Sequence, residues 1–165
     1  MSVEFWTMGA GRPGRPGSNV FSGTRQAIAA EEIGYDGIAY VDSQNLSGDC
    51  YVALALAAQA TSSIKLGTGV TNSFTRHPAA TASAIASIQM ESDGRAYLGI
   101  GRGDSALAHL GRAPHSVAEF ENYLEQLQNY LRGNEVEFEG DSDLGSLGLA
   151  GHSSSSRISW IAGIQ

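Results

Sequence analysis

The sequence predicts an α/β fold in which parallel strands alternate with helices. Four short apolar runs, rich in β-branched and aromatic residues, begin near residues 3, 37, 64 and 95. The stretches between them carry small and apolar side chains at helical spacing. Because strand–helix–strand connections within a parallel sheet are right-handed crossovers, the four strands should all point the same way in one sheet.

Each element is predicted from local signals. Strands are expected over residues 3–8, 37–41, 64–69 and 95–100. Helices are expected over residues 20–33, 51–60 and 78–90, and the longest helix should begin after Ser116 and end at Gly133. Gly34 suits the left-handed position after the first helix, Pro78 suits a first helical turn, and Ser116 with Glu119 forms a capping box.

Length and composition indicate one globular domain and argue against several classes of partner. The chain has 165 residues, 42% of them hydrophobic, and a formal net charge of −7, so neither a nucleic acid nor a membrane is an expected partner. No apolar run approaches the ~18 residues that a membrane span requires. A single cysteine, Cys50, argues against a disulfide framework, and the histidines lack ligand spacing, so no metal site is expected. We expect a cytoplasmic protein.

Four strand–helix units are half of the number that closes a parallel barrel in its usual form. We therefore expect residues 1–139 to form half of a (β/α)8 barrel of the TIM-barrel class. Residues 140–165, rich in Gly and Ser, are expected to be a poorly structured insertion or linker segment that is truncated. An open, doubly wound sheet is the alternative.

Two glycine-rich elbows follow successive predicted strands, and they indicate a ligand site at the carboxyl ends of the sheet. The first lies in LGTGVTNSFTRHP, residues 66–78, and the second in YLGIGRGDS, residues 97–105. Glycine allows the backbone to pass close to a flat or anionic ligand. Ligands of parallel α/β sheets bind beyond the carboxyl ends of the strands.

Polar residues that follow these strands should converge on the site. They are Asp42 after the second strand, Thr71, Asn72, Thr75, Arg76 and His77 after the third, and Asp104 after the fourth. Each has a structural alternative: Asp42 as a turn residue, Asp104 as a helix N-cap, and His77 as a capping or packing residue. Cys50 is interpreted as a packing residue.

Three segments resemble the luciferase-like flavin-dependent oxidoreductases, including their methylene-tetrahydromethanopterin reductase branch. The segments are EEIGYDGIAYVDSQ, LGTGVTNSFTRHPAATASAIASI and GRAYLGIGRGDSAL, and the similarity runs in order from about residue 3 to residue 132. Members of that family are (β/α)8 barrels of roughly twice this length, and they bind FMN or the deazaflavin coenzyme F-420 at the C-terminal face. The resemblance implies that this chain is the N-terminal half of such a barrel.

The resemblance also implies roles for particular residues. Gly69–Val70 lies where relatives have a non-prolyl cis peptide bond against the cofactor ring. The cofactor-binding residues would be Gly69, Val70, Thr71, Asn72 and Gly101. The catalytic residues would be Asp42, beside the cofactor, and Asp104, as a proton donor. Many relatives have Asp-His after the second strand, whereas this chain has Asp42 followed by Ser43.

We therefore expect an oxidoreductase or monooxygenase that transfers hydride or activates oxygen on a small organic substrate, a homo-oligomer in its full-length form. One alternative is a non-catalytic half-barrel, either a fragment or a subunit that depends on a partner. Another is a Rossmann-type NAD(P) enzyme, although Gly99, Gly101 and Gly103 do not make the dinucleotide fingerprint.

Overall fold

A computed structural model describes residues 3–9, 20–137 and 155–156 of the chain. Apart from Ser155 and Ser156, the segment 140–165 that the sequence predicts to be poorly structured lies outside the described residues.

Parallel strands form the centre of the described structure, as the sequence predicts. The strands are β1 (Trp6–Gly9), β2 (Gly37–Tyr40), β3 (Lys65–Thr68), β4 (Thr71–Asn72), β5 (Ala96–Tyr97), β6 (Ile100–Gly101), β7 (Val136–Glu137) and β8 (Ser155–Ser156). The main sheet has the order β1-β2-β3-β5, and a second parallel pair joins β4 to β6. The third predicted strand is present as β3, and the short β4 that follows it was not predicted; the fourth predicted strand was wrong as a continuous element, because it is divided into β5 and β6. An antiparallel pair, β7–β8, was not predicted.

Helices connect these strands and begin and end largely where the local signals place them. They are α1 (Val20–Glu32), α2 (Cys50–Ala60), α3 (Pro78–Glu91), α4 (Asp104–Ala108) and α5 (Val117–Leu131). Gly34 has a φ of 87°, and both hydrogen bonds of the Ser116–Glu119 capping box are present. Among the described residues, no helix combines the length and the apolar character needed to cross a bilayer.

The core lies between the main sheet and its helices. Ile38 of β2 and Leu66 of β3 are register partners, and both are fully buried in one cluster with α1, α2 and α3. A second cluster joins α5 to α3 through Ala82, Tyr123 and Leu127. Burial of these apolar side chains is the main stabilising contribution.

At the amino end of the sheet, two charged side chains each make several hydrogen bonds to neighbouring segments. The Arg95 guanidinium makes five, at 2.7–3.1 Å, to oxygen atoms of Ala58, Thr61, Ile64 and Ser92. One carboxylate oxygen of Glu31 accepts four, from the backbone of residues 62–64 and from the Ser63 hydroxyl. The carboxyl ends of the strands, at the opposite side, carry the candidate site.

Candidate functional site

The site begins at two breaks in the strands, between β3 and β4 and between β5 and β6. The Gly69–Val70 peptide bond is cis, as the family resemblance implies. Next to it, the Thr68 hydroxyl donates to the carbonyl of Gly99 at 2.7 Å and accepts from the Gly99 N–H at 2.9 Å. A Cβ atom on Gly99 would lie 2.5 Å from the Thr68 carbonyl oxygen, so only glycine fits there.

Beyond these breaks, the carboxyl ends of β2, β4 and β6 border a cleft of about 270 Å³. All seven residues that the sequence proposed as catalytic or cofactor-binding line it: Asp42, Gly69, Val70, Thr71, Asn72, Gly101 and Asp104. Val70 is 54% exposed, so part of the cleft surface is apolar. The structure therefore brings the proposed residues together, while their roles stay predictions.

Asp42 is a buried acid at the edge of the cleft, only 3% exposed. Its Oδ2 accepts from the Thr71 hydroxyl at 2.6 Å, and its Oδ1 accepts from Gln44 Nε2 at 2.8 Å. Buried carboxylates need such donors. Asp42 therefore does more than terminate a turn, because its side chain also bonds to Thr71 of β4.

Asn72 borders the cleft and carries an unpartnered buried donor. The side chain is 1% exposed, and its Oδ1 accepts from the backbone N–H groups of Phe74 and Thr75 at 3.0 and 2.9 Å. These two bonds fix the amide, and its buried Nδ2 has no hydrogen-bond partner within the described part of the chain. A buried amide donor left without an acceptor indicates a ligand or an ordered water.

Asp104 is an exposed acid on the wall that follows β6. Its alternative role as a helix N-cap is wrong, because Gly103 occupies that position with a φ of 97° and Asp104 is the first residue of α4. Leu107 packs beneath Gly103, where a Cβ atom would lie 2.6 Å from Leu107 Cδ1. This packing holds the start of α4 against the sheet.

Three further residues that the sequence expected at the site do not line the cleft. His77 is the N-cap of α3 and accepts from the Ala79 N–H at 3.1 Å, so its capping alternative is confirmed. Arg76 forms an ion pair with Asp49, and Thr75 likewise lies outside the cleft lining. Thr75, Arg76 and His77 therefore lie outside the cleft lining, although Arg76 is close enough to Asp42 for their charges to interact.

A polar layer lies behind Asp42. The Arg76 guanidinium stacks on the Tyr51 ring at 4.6 Å. Burial raises the pKa of the Cys50 thiol, and the negative charges of Asp42 and Asp49 raise this pKa further. A thiol that remains protonated is a poor nucleophile, which agrees with the interpretation of Cys50 as a packing residue. Among the described residues, no cluster of His, Cys, Asp or Glu could hold a metal ion.

Sequence reasoning missed the basic residue of the cleft. Arg102 lines it between Gly101 and Gly103. The sequence did carry a signal, since Arg102 lies between two glycines at the end of the fourth predicted strand.

Comparisons with known proteins agree on one family. The family model described as luciferase-like monooxygenase matches residues 1–152. The 5,10-methylenetetrahydromethanopterin reductase of Methanolobus tindarius is 37% identical over 128 residues, which are 76% of this chain and 39% of the relative. The protein of the same name from Methanopyrus kandleri is 42% identical over 103 residues, which are 53% of this chain and 30% of the relative.

Solved structures agree on the fold. The coenzyme F420 dependent tetrahydromethanopterin reductase of Methanopyrus kandleri superposes with a TM-score of 0.71 at 31% identity, covering 85% of this chain and 43% of that structure. The oxygenating constituent of 3,6-diketocamphane monooxygenase from Pseudomonas putida, in complex with FMN, gives a TM-score of 0.70 at 22% identity, covering 86% and 42%. The fold is that of the luciferase-like TIM barrels. This chain spans about two fifths or less of the length of the curated relatives named above.

Proposed function

Because the chain belongs to the luciferase-like monooxygenase family, we propose that it supplies the cofactor-binding N-terminal half of a flavin- or deazaflavin-dependent oxidoreductase. The observation that carries the proposal is the single cleft that collects all seven residues inferred from the sequence. The reductases named above act on a methylene-tetrahydromethanopterin, so a reduced-pterin substrate is the first to be tested with this chain.

The residues at the cleft fit the ring of FMN or F-420. Gly69 and the exposed Val70 offer backbone and an apolar side chain to one face of a flat heterocycle. The unpartnered Asn72 Nδ2 suits a ring carbonyl oxygen, since each buried donor requires an acceptor. Thr71 and Gly101 border the same space. When bound, the cofactor supplies hydride transfer or, as a reduced flavin, reaction with oxygen.

The two acids take different roles in this proposal. Asp42, held by Thr71 and Gln44, orients the ring or the substrate through a fixed carboxylate. Asp104 is exposed in the lining of the cleft and is the proposed proton donor to the substrate. Proton transfer by a positioned carboxyl group contributes typically 10²–10⁴-fold to a rate.

The test is a titration of the purified chain with FMN and with F-420, in which the quenching of cofactor fluorescence reports binding. The proposal expects saturable binding of one of the two at a 1:1 ratio. It also expects Asn72→Ala to weaken that binding at least tenfold. A chain that is folded by circular dichroism but binds neither cofactor contradicts the proposal.

A second candidate is a half-barrel without catalysis of its own that completes its sheet with a partner. Met8 of β1 and Tyr97 of β5 are 58% and 46% exposed, although they lie on strands of the main sheet. Such a surface favours association. This candidate would be favoured if the purified chain is colourless, binds neither FMN nor F-420, and forms a complex of defined stoichiometry with a partner protein.

A further inference from the structure

The two acids that line the cleft stand on segments far apart in the chain. Asp42 belongs to the loop of residues 42–47 that follows β2, and Asp104 is the first residue of α4. The proposed function uses both acids at one cofactor. Their separation therefore depends on how the 42–47 loop is held relative to α4.

The 42–47 loop is a compact turn with hydrogen bonds of its own. The backbone N–H groups of Leu46 and Ser47 both donate to the Ser43 carbonyl at 2.9 Å. In the same turn, the side chain of Gln44 donates to Oδ1 of Asp42 at 2.8 Å. A displacement of the turn therefore displaces a donor to the Asp42 carboxylate.

One side chain joins this turn to α4. Asn45 Nδ2 donates to the carbonyl of His109 at 2.9 Å, across 64 positions of the chain. His109 is the C-cap of α4, and the last carbonyls of a helix have no partner within it. Among the described residues, no other hydrogen bond joins the 42–47 loop to residues 103–110. Neither Asn45 nor His109 lines the cleft, so this bond acts from outside it.

The short length of α4 makes its position depend on such contacts. It has five residues, too few for a helix that is stable by itself. Its start is held by Leu107, which is fully buried and packs beneath Gly103. Its other end is held by Asn45 through the His109 carbonyl. A helix fixed at its start alone can pivot, whereas one held at both ends keeps its first residues in place.

We propose that Asn45 is a positioning residue, whose amide holds the 42–47 loop against α4 and so fixes the separation of Asp42 and Asp104. The inference rests on the proposed function, because a cofactor in the cleft is what gives this separation a role. A cleft whose two acids are held in place before binding loses less free energy to ordering when the cofactor enters. Without the Asn45 bond, the loop and α4 separate more often and the cofactor leaves faster.

The experiment compares three substitutions of Asn45 with a matched control. Asn45→Ala removes the donor, Asn45→Asp keeps the shape but not the donor, and Asn45→Gln keeps the donor. The control is Asn134→Ala, at an exposed asparagine beyond α5 whose amide also makes a 2.9 Å hydrogen bond, to Asn129 Oδ1. Amide hydrogen exchange of the cofactor-free chain is measured by nuclear magnetic resonance. The dissociation rate of FMN or F-420, whichever binds, is measured by stopped-flow fluorescence.

Asn45→Ala and Asn45→Asp should raise the exchange rates of the backbone N–H groups of Leu46 and His109 about threefold to tenfold, as expected for the loss of one hydrogen bond. The exchange of the Leu66 N–H, in the main sheet, should not change. The cofactor dissociation rate should rise by a similar factor. Asn45→Gln should stay within about twofold of the wild type in both measurements, and Asn134→Ala should match the wild type at these positions.

Two results would overturn the inference. Unchanged exchange at His109 in Asn45→Asp would show that the bond does not hold α4. Raised exchange with an unchanged cofactor dissociation rate would show that the bond is structural and does not serve the site. If the wild type binds neither FMN nor F-420, the proposed function fails, and the exchange rates of the cofactor-free chain still decide whether Asn45 holds the loop against α4.

Discussion

The hydroxyl of Thr71 donates to Oδ2 of Asp42 over 2.6 Å and joins the start of β4 to the loop that follows β2. The two residues are 29 positions apart in the chain, and both are buried. This bond stabilises the buried carboxylate and fixes one corner of the cleft.

Replacing Thr71 by Val should destabilise the fold by about 1–3 kcal/mol, because the change leaves a buried carboxylate oxygen without a donor. The measurement is urea-induced unfolding at neutral pH. Thr24→Val is the matched control, since the Thr24 hydroxyl is buried without a hydrogen-bond partner among the described residues. Equal destabilisation by both variants would show that the bond to Asp42 contributes nothing.

Replacing Asp104 by Asn should lower turnover at least tenfold while the cofactor dissociation constant changes by less than about threefold, because an amide cannot transfer the proton. Turnover is followed by the absorbance change of the cofactor at saturating substrate. Glu121→Gln, an exposed change on α5, serves as the control. Unchanged turnover in Asp104→Asn would remove the proposed role of this acid.

Glu31 should make stability depend on pH in the acid range. Burial opposes ionisation of Glu31, but the donors at Ser62, Ser63 and Ile64 outweigh it and lower its pKa from 4.5 to about 2. A pKa that is lower in the folded state stabilises the protein above the unfolded value. That contribution is therefore complete above about pH 4.5 and disappears as the pH falls towards 2.

Glu31→Gln should accordingly cost about 1–2 kcal/mol at pH 7 after solvent screening. The difference from the wild type should shrink as the pH falls from 4.5 towards 2, as measured by thermal unfolding across that range. A difference in stability between the two proteins that stays constant with pH would contradict the lowered pKa of Glu31.

The free energy of unfolding should be more sensitive to a conservative change at Arg95 than at an exposed arginine. Lysine cannot reproduce five hydrogen bonds from a planar fork, so Arg95→Lys should cost about 2–3 kcal/mol of unfolding free energy. Arg132→Lys, at an exposed arginine after α5, should stay within about 0.5 kcal/mol. Chemical denaturation of both variants measures these free energies. Similar losses for Arg95→Lys and Arg132→Lys would contradict the prediction.

The sequence predicts what local chemistry determines. The helix end at Gly34, the start at Pro78 and the capping box at Ser116 each depend on a few neighbouring residues, and all are present in the structure. The parallel direction of the strands followed from their alternation with helices.

Features that depend on distant partners were not predictable. The break between β5 and β6 lies at Gly99, which forms hydrogen bonds with the Thr68 hydroxyl 31 positions away. The pairing of β7 with β8 and the place of Arg102 in the cleft likewise depend on segments far apart in the chain. The ion pair of Arg76 with Asp49 likewise joins residues that are 27 positions apart.

The central claim is that a flat cofactor binds against Val70 and Gly101, and blocking that space tests it most directly. A Cβ atom on Gly101 would lie 3.6 Å from Val70 Cγ2, an ordinary contact, so Gly101→Ala should fold normally and bind the cofactor within about threefold of the wild type. Gly101→Phe places a ring beside Val70 and should weaken binding of FMN or F-420 at least thirtyfold. The titration by cofactor fluorescence supports the account if only Gly101→Phe loses affinity. Cofactor binding by Gly101→Phe as tight as that of the wild type would contradict it.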